Sequence, residues 1–243
     1  DTPAANMDAV IATLMAVSQL LADVPELAEL DINPLIVNHQ GVLALDARIR
    51  LSADKPAGAA NFAIRPYPAE LAETIPWKGR TLELRPIRPE DEARHVEFLT
   101  SLDPDDVRMR VFYSRRTMER SELARLVQID YAREMAFVAM GKDTNGVLQT
   151  LGVVRAMIDP DNRDAEFGII IRSELKGKGL GFLLMQKLIR YLQSQGTERL
   201  VATVLKQNAR MLSMAKQLGF VVDSKEQLEP DSRALCLSLK PGG

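Results

Sequence analysis

The sequence predicts an α/β (α+β) domain, on three observations. After Trp77 the chain alternates between strand-like apolar runs and runs with helical spacing. The turn DTNG at 143–146 joins two apolar runs as in a β-hairpin. The glycine-rich stretch KGKGLG at 176–181 separates a strand-like run from a long helical pattern. With 243 residues, the chain can form one such domain and a smaller fragment.

The N-terminal residues 1–51 are predicted to form a helix followed by a hairpin. Apolar residues recur at helical spacing from Val10 to Val24, and Pro25 ends the pattern. The strand-like runs ELDINPLIV and GVLALDARIRL are joined by residues 38–41. About 50 residues bury little surface alone, so we interpret this part as a fragment of a larger domain. Residues 52–76 are rich in Ala and Pro, contain the short strand-like FAIRPYP, and are predicted to be a linker.

The main domain is predicted over residues 77–243. Its first helix begins at Pro89 and ends near position 102, and a second helical region follows to about position 129. Gly196 ends the third helix, FLLMQKLIRYLQSQ, and the fourth is capped by Asn208 and ended by Gly219. The predicted strands are, in chain order, TLELRPIR, EMAFVAM, VLQTLGVVRAM, AEFGIIIR, RLVATVL, GFVVD and RALCLSL.

Composition and charge argue against several classes of protein. Acidic and basic residues nearly balance, 33 against 31, so a general nucleic-acid partner is not expected. No apolar stretch approaches the roughly 20 residues that span a bilayer, and the single Cys236 cannot form an internal disulfide, so a cytoplasmic protein is predicted. His39 and His95 lack ligand spacing, so no metal site is predicted. The opening DTPAANMDAV has no initiator Met and no signal pattern, which indicates a piece of a longer protein.

The stretch KGKGLG, here called the glycine loop (residues 176–181), has the features of a phosphate or pyrophosphate site. Its glycines allow close approach of a ligand to the backbone, and the following helix directs its dipole and N–H groups at an anion. The P-loop string GxxxxGK[ST] does not occur. A dinucleotide fingerprint needs GxGxxG, whereas the loop gives GxGxG, although Glu198 lies near the ribose-binding distance. A glycine-rich turn with a solvated basic face is the alternative.

The string LKGKGLGFLL resembles the acyl-CoA loop of the GNAT superfamily of N-acetyltransferases, [QR]xxGxG/A at the start of a long helix. Lys176 stands where Gln or Arg is usual. NARMLSMAKQLGF approaches the second GNAT motif, NxxAxxLYxxxGF, and the order of elements from about 81 to 239 follows the GNAT order. The resemblance implies acetyl-CoA as cosubstrate. It also implies a mixed, mostly antiparallel sheet, flanked by helices, that splays apart after AEFGIII to admit pantetheine.

The resemblance also assigns cofactor-binding residues. Main-chain groups of Ile169 and Ile171 are expected to meet the pantetheine and the acyl carbonyl. Asn208 is expected to contact the CoA chain, although a simple helix cap explains it equally well. The residues expected to surround the pyrophosphate are Lys176, Gly177, Lys178, Gly179, Leu180, Gly181 and Phe182.

Acetyl transfer to an amine requires a base. A lysine of pKa about 10.4 is only about 0.1% neutral near pH 7.4. The GNAT pattern places a carboxylate at Glu166, where a half-buried cleft can raise its pKa; an exposed strand residue is the alternative. A backbone N–H near Ile171 is expected to stabilise the oxyanion. Ala215 occupies the position where many GNAT enzymes have a Tyr general acid, which leaves an acyl-CoA-sensing module as an alternative function.

ELDINPLIV and GVLALDARIRL resemble the closing hairpin of the ATP-grasp domain in NDP-forming acyl-CoA synthetases. In that family Asn33 and Asp46 would hold Mg²⁺, and in this sequence we interpret both as structural remnants. A synthetase-like region before a GNAT domain is similar to the Pat-type bacterial protein lysine acetyltransferases. That similarity implies a lysine on a metabolic enzyme as acceptor, typically AMP-forming acetyl-CoA synthetase. A small-molecule amine acetyltransferase is the alternative.

A cluster of arginines lies in a predicted helical stretch that has few acidic residues. It is interpreted either as a docking surface for an acidic protein or as a solvated helix face that packs through its stems. Its members are Arg108, Arg110, Arg115, Arg116, Arg120 and Arg125.

Overall fold

The computed structural model describes residues 4–24, 26–52, 65–103, 120–223 and 230–240. The chain divides into two compact units, Asp1–Pro66 and Tyr67–Gly243. In the described residues no helix is both long enough and apolar enough to cross a bilayer.

The first unit contains a helix and an interrupted hairpin. Helix α1 (Met7–Asp23) is capped at its N-terminus by Asn6, whose side chain accepts a hydrogen bond from the Ala9 amide at 3.0 Å. At the hairpin tip, the Asn38 side chain accepts from the amides of Gln40 and Gly41. The outer strands β1 and β4 pair with each other, as do the inner strands β2 and β3, both antiparallel. The strands are β1 (Leu27–Ile32), β2 (Leu35–Val37), β3 (Val42–Ala44) and β4 (Ala47–Leu51).

The second unit is built on one eight-stranded sheet, in the order β11-β12-β10-β9-β8-β7-β6-β5. Among the described strands of this sheet, β9 and β10 pair in parallel and all other neighbours are antiparallel. This arrangement confirms the predicted fold class. The strands are β5 (Glu73–Trp77), β6 (Arg80–Pro86), β7 (Glu134–Lys142), β8 (Leu148–Ile158), β9 (Asp164–Ile171), β10 (Arg199–Leu205), β11 (Val221–Val222) and β12 (Ser232–Ser238). The helices are α2 (Glu92–Thr100), α3 (Arg120–Val127), α4 (Leu180–Ser194) and α5 (Ala209–Gln217).

The core lies where helices cover the central strands. Every residue of β7 from Met135 to Met140 is buried, which requires cover on both faces because successive side chains point to opposite faces. Helix α4 contributes a stripe at four-residue spacing, Leu180, Leu184, Leu188 and Leu192, all fully buried. This stripe fixes α4 over β7, β8 and β9.

The predicted linker differs from the structure at its C-terminal end. Residues 73–77 form strand β5, which pairs with β6 from Glu73 opposite Leu84 to Trp77 opposite Arg80. Pro76 has no N–H to donate and weakens the strand pattern, but an edge strand tolerates it. Of FAIRPYP, the described residues from 65 onward form no strand, and a 3-10 turn follows at Ala69–Leu71.

Candidate active site

Strands β9 and β10 are paired only at their beginnings. The parallel register joins Asp164 with Arg199, Ala165 with Leu200, and Glu166 with Val201. Beyond these pairs β9 continues to pair with β8, and β10 with β12. Residues 167–171 and 202–205 therefore border a gap, with its apex at Glu166 and its mouth at Ile171. The predicted splay is present, but it opens within AEFGIII rather than after it.

The main chain of β9 directs alternate residues into this gap. Asp159 N donates to Asp164 O, and Arg172 N donates to Leu151 O, so the even-numbered residues of β9 exchange hydrogen bonds with β8. The N–H and C=O groups of the odd-numbered residues point the other way, into the gap. These residues are Phe167, Ile169 and Ile171. The sequence singled out Ile169 and Ile171; Phe167 follows only from the register.

The mouth of the gap leads to the N-terminus of α4. Gly177 and Gly179 have φ of +71° and +88°, and no atom of the described residues lies within 4 Å of where a Cβ would stand at either. Gly179 caps α4 without any side-chain hydrogen bond to the first turn. The first-turn amides of Leu180, Gly181 and Phe182 lack intrahelical acceptors because of their position. The site offers uncapped N–H groups and open space, the arrangement that suits an anion.

Basic side chains lie beside these amides. Partial burial lowers the pKa of Lys176, and the positive charge of Arg210 lowers it further, against a smaller opposing effect of Asp103. Lys178, also in the glycine loop, is exposed. Arg210 lies in the first turn of α5. It was not predicted from the sequence, since it lies in the second motif at a position that the motif leaves open. An anion bound near Lys176 and Arg210 relieves their mutual repulsion.

Helix α5 closes the other side of the α4 terminus. A Cβ on Gly181 would meet Met214 Sδ at 3.4 Å and the Ile169 and Ile171 side chains at 3.7 Å. Gly181 thus serves close packing within the first turn of α4. Asn208 caps α5, because its side chain accepts a hydrogen bond from the Met211 amide at 3.1 Å.

Glu166 lies at the apex of the gap, with an exposed side chain. It stands opposite Met157 of β8 and Val201 of β10, and Met157 is 57% exposed. The half-buried cleft expected for this carboxylate is absent from the described residues. The exposure of Glu166 depends on which face of the sheet the helices cover. The sequence motif does not encode this.

No described tyrosine takes the place of the missing general acid. Ala215 is buried within α5. Tyr67 and Tyr131 donate hydrogen bonds to the carbonyls of Pro86 and Ile87. Tyr191 is buried in α4 with its ring against Phe137. Tyr113 lies outside the described residues.

The sequence singled out other residues besides those of this gap. Asn33 donates its amide to the Asp46 carbonyl at 3.2 Å, so the hairpin places them together. No group of three or more His, Cys, Asp or Glu residues lies together to hold a metal in the part of the chain that is described. Of the arginine cluster, Arg125 is exposed on α3; Arg108, Arg110, Arg115 and Arg116 lie outside the described residues.

Comparisons with known proteins agree with this geometry. Residues 81–221 match a family model described as an acetyltransferase (GNAT) domain, and residues 1–51 match an ATP-grasp domain. Acetyltransferase PA5475 of Pseudomonas aeruginosa is 29% identical over 153 residues, 63% of this chain and 80% of that protein. Acetyltransferase Pat of Mycolicibacterium smegmatis is 30% identical over 152 residues, 60% of this chain and only 44% of that protein.

A comparison with solved structures shows the same fold. The crystal structure of the GNAT domain of S. lividans PAT superposes with a TM-score of 0.62 at 20% identity, covering 71% of this chain and 99% of that chain. Both resemblances drawn from the sequence, to GNAT enzymes and to an ATP-grasp domain, are confirmed. The GNAT match covers more than half of the 243 residues. The chain therefore belongs to the GNAT acetyltransferase family and is an acyl-CoA-dependent N-acetyltransferase.

Proposed function

We propose that this chain is a protein lysine N-acetyltransferase that uses acetyl-CoA and a glutamate base. The observation that carries the proposal is the gap between β9 and β10. It has uncapped helix amides at its mouth and a carboxylate at its apex. The five steps along the strand from Glu166 to Ile171 span roughly 16 Å. This length is comparable with an extended pantetheine arm, so a donor held at the mouth presents its thioester near the apex.

The proposed donor site uses the groups that face the gap. The pyrophosphate of CoA lies at the α4 N-terminus, within residues 176–182, where amides and Lys176 neutralise its charge. Pantetheine pairs with the main-chain groups of Ile169 and Ile171, as an added strand would. Asn208, by capping α5, supports the helix that borders the same space.

The proposed reaction is direct attack. Glu166 takes one proton from the acceptor ammonium, directly or through one water, and the neutral nitrogen then attacks the thioester carbonyl carbon. The nitrogen loses its second proton to solvent as the carbon–sulfur bond breaks and CoA thiolate leaves. Ile169 N–H is a better oxyanion donor than Ile171, because it also faces the gap and lies nearer Glu166. A thiol of pKa about 8.5 leaves tolerably well as thiolate, so the absence of a Tyr at Ala215 does not prevent the reaction.

The acceptor is proposed to be a lysine side chain of a cytoplasmic metabolic enzyme, AMP-forming acetyl-CoA synthetase. The ATP-grasp match at 1–51, joined to a GNAT domain, supports this choice, as does the relative named Acetyltransferase Pat. A synthetase-like segment would serve regulation of acyl-CoA metabolism better than modification of a diffusible small amine. The arginine cluster is proposed to dock an acidic surface of the acceptor.

The direct test is incubation of the protein with isotope-labelled acetyl-CoA and cell lysate, followed by mass spectrometry. We expect label on lysines of one or a few proteins, including AMP-forming acetyl-CoA synthetase. Purified synthetase in which the labelled lysine is changed to Arg is the control acceptor. Label confined to polyamines, amino acids or aminoglycosides would assign a small-molecule acetyltransferase. A thermal shift with acetyl-CoA but no product with any acceptor would assign a sensing module.

The glycine loop supplies a second prediction. Gly179→Ala adds a Cβ in open space but at φ +88°, so its cost is backbone strain of roughly 1–2 kcal/mol. We expect a lower melting temperature and a several-fold higher KM for acetyl-CoA, because the strained residue shifts the N–H groups of the α4 terminus. Steady-state kinetics and thermal unfolding measure the two effects.

Gly146→Ala is the matched control. Gly146 has φ of +81°, also with no atom within 4 Å, and lies in the turn between β7 and β8. It should lose similar stability and keep the wild-type KM. An equal KM for acetyl-CoA in Gly179→Ala and Gly146→Ala would show that the glycine loop is not part of the donor site.

A further inference from the structure

We propose that Trp77 is a positioning residue that holds the glycine loop in its anion-binding conformation from the neighbouring edge strand. The inference rests on the donor site proposed above, and it adds a residue outside the region 81–221 that matches the GNAT family. Trp77 ends β5, which is not part of the glycine-loop motif or of the second motif.

The contact is a hydrogen bond to the middle of the loop. The indole Nε1–H of Trp77 donates to the carbonyl oxygen of Lys178 at 3.2 Å. The Trp77 side chain is only 6% exposed, and the guanidinium of Arg80 lies 5.1 Å from the ring centroid. Its burial alone fixes the indole, so the N–H donor has a defined direction.

This hydrogen bond orients a peptide plane. Lys178 lies between Gly177 and Gly179, both with positive φ. The Lys178 carbonyl and the Gly179 N–H belong to one planar trans peptide and point in opposite directions. By holding the carbonyl, Trp77 turns the Gly179 N–H away from β5. Without this contact, a peptide flanked by glycines rotates freely. The conformational entropy lost when a ligand orders it would then weaken binding.

A second contact fixes β5 along α4. Glu73 Oε1 lies 3.1 Å from Lys187 Nζ and 3.3 Å from Arg190 Nη2. Lys187 is buried, with its Nζ 4.8 Å from the centre of the Phe137 ring. The four steps from 73 to 77 span roughly 13 Å of strand, and the nine steps from 178 to 187, mostly at helical rise, span about the same distance. The two contacts therefore hold β5 and α4 side by side at matching lengths.

The first test replaces the donor but keeps the ring. In Trp77→Phe we expect faster hydrogen exchange of the amides at 177–182 in the ligand-free protein, and unchanged exchange in α4 beyond Leu184. The KM for acetyl-CoA should rise about fivefold, as expected for loss of one hydrogen bond, with kcat within about twofold. A structural role alone would instead lower the melting temperature with no local change at the loop.

Two controls make the test decisive. Arg80→Gln removes the cation beside the indole but keeps the hydrogen bond, so loop exchange and KM should stay at wild-type values. Because Trp77 is the only tryptophan in the chain, feeding 3-benzothienylalanine to a tryptophan auxotroph replaces just this N–H by sulfur. This substitution preserves ring shape should Trp77→Phe fold poorly.

The outcomes separate the inference from the donor site on which it rests. Wild-type loop exchange in both the Phe and the benzothienyl proteins would overturn the positioning role. Faster loop exchange with unchanged KM would support the positioning role and contradict the donor site. Faster exchange together with raised KM supports both.

Discussion

Glu166→Gln is expected to lower the rate of acetyl transfer by roughly 10²- to 10⁴-fold, the range that one general base contributes. Glu166 is exposed and stands at the end of the paired part of β9 and β10, so an isosteric amide should leave the fold intact. The amide cannot accept the proton that the acceptor ammonium must lose before its nitrogen attacks. The loss should appear in kcat and kcat/KM, while acetyl-CoA affinity measured by calorimetry stays unchanged.

The pH dependence distinguishes a base from a docking residue. As pH rises towards the lysine pKa of about 10.4, more of the acceptor is already neutral and needs no base. The difference in acetyl-transfer rate between the wild type and Glu166→Gln should therefore become smaller as pH increases. Glu174→Gln, at another exposed glutamate of the same unit, is the matched control and should keep the wild-type rate. A wild-type rate in Glu166→Gln would show that the base is elsewhere.

Sequence patterns predicted those parts of the site that depend on local order. Three adjacent patterns place β9, the glycine loop and α4 in succession. They are the apolar run, the glycine spacing and the long helical pattern that follows. Asn208 and Gly219 likewise mark the ends of α5 and its turn. Each of these signals is a backbone or capping requirement of neighbouring residues, which a single sequence carries in full.

The parts that escaped prediction depend on contacts between distant segments. Strand β5 has Pro76 in its middle and a preceding stretch rich in Ala, and only pairing with β6 makes it a strand. The contact of Trp77 with Lys178 spans 101 positions. The two runs of the N-terminal hairpin each divide into two strands, which periodicity shows as one. The N–H and C=O groups of β9 that point into the gap are identified only by the pairing register between β8 and β9.

The largest expected effect on stability comes from a buried ion pair next to α2. Arg85 and Asp91 are each only 2% exposed in their side chains, and two hydrogen bonds of 2.7 Å join them. Asp91 also accepts from the Arg88 amide and from Arg94, both at 3.1 Å. We expect Asp91→Ala to cost about 3–5 kcal/mol of unfolding free energy, because it leaves the Arg85 charge buried without its partner. Denaturant unfolding of the purified protein measures this loss.

Glu83→Gln provides the matched comparison at the same arginine. Glu83 Oε2 lies 3.7 Å from Arg85 Nε but is 45% exposed, so water screens the pair. Its removal should cost less than about 1 kcal/mol. Equal losses in the two variants would show that burial does not govern the strength of this cluster.

Acid should weaken the same cluster. Burial by itself would raise the pKa of Asp91, but hydrogen bonds and charge from Arg85, with help from the Arg88 amide and Arg94, outweigh it and hold the pKa below its ordinary value. Because the folded pKa lies below the unfolded value of about 3.9, the pair stabilises the fold above that pH, and this stability is lost as pH falls through the folded pKa. Unfolding measured between neutral pH and pH 3 should therefore show a steeper acid loss in the wild type than in Asp91→Asn. Parallel curves would mean that Asp91 does not titrate with unfolding, and that its charge does not hold Arg85 in the core.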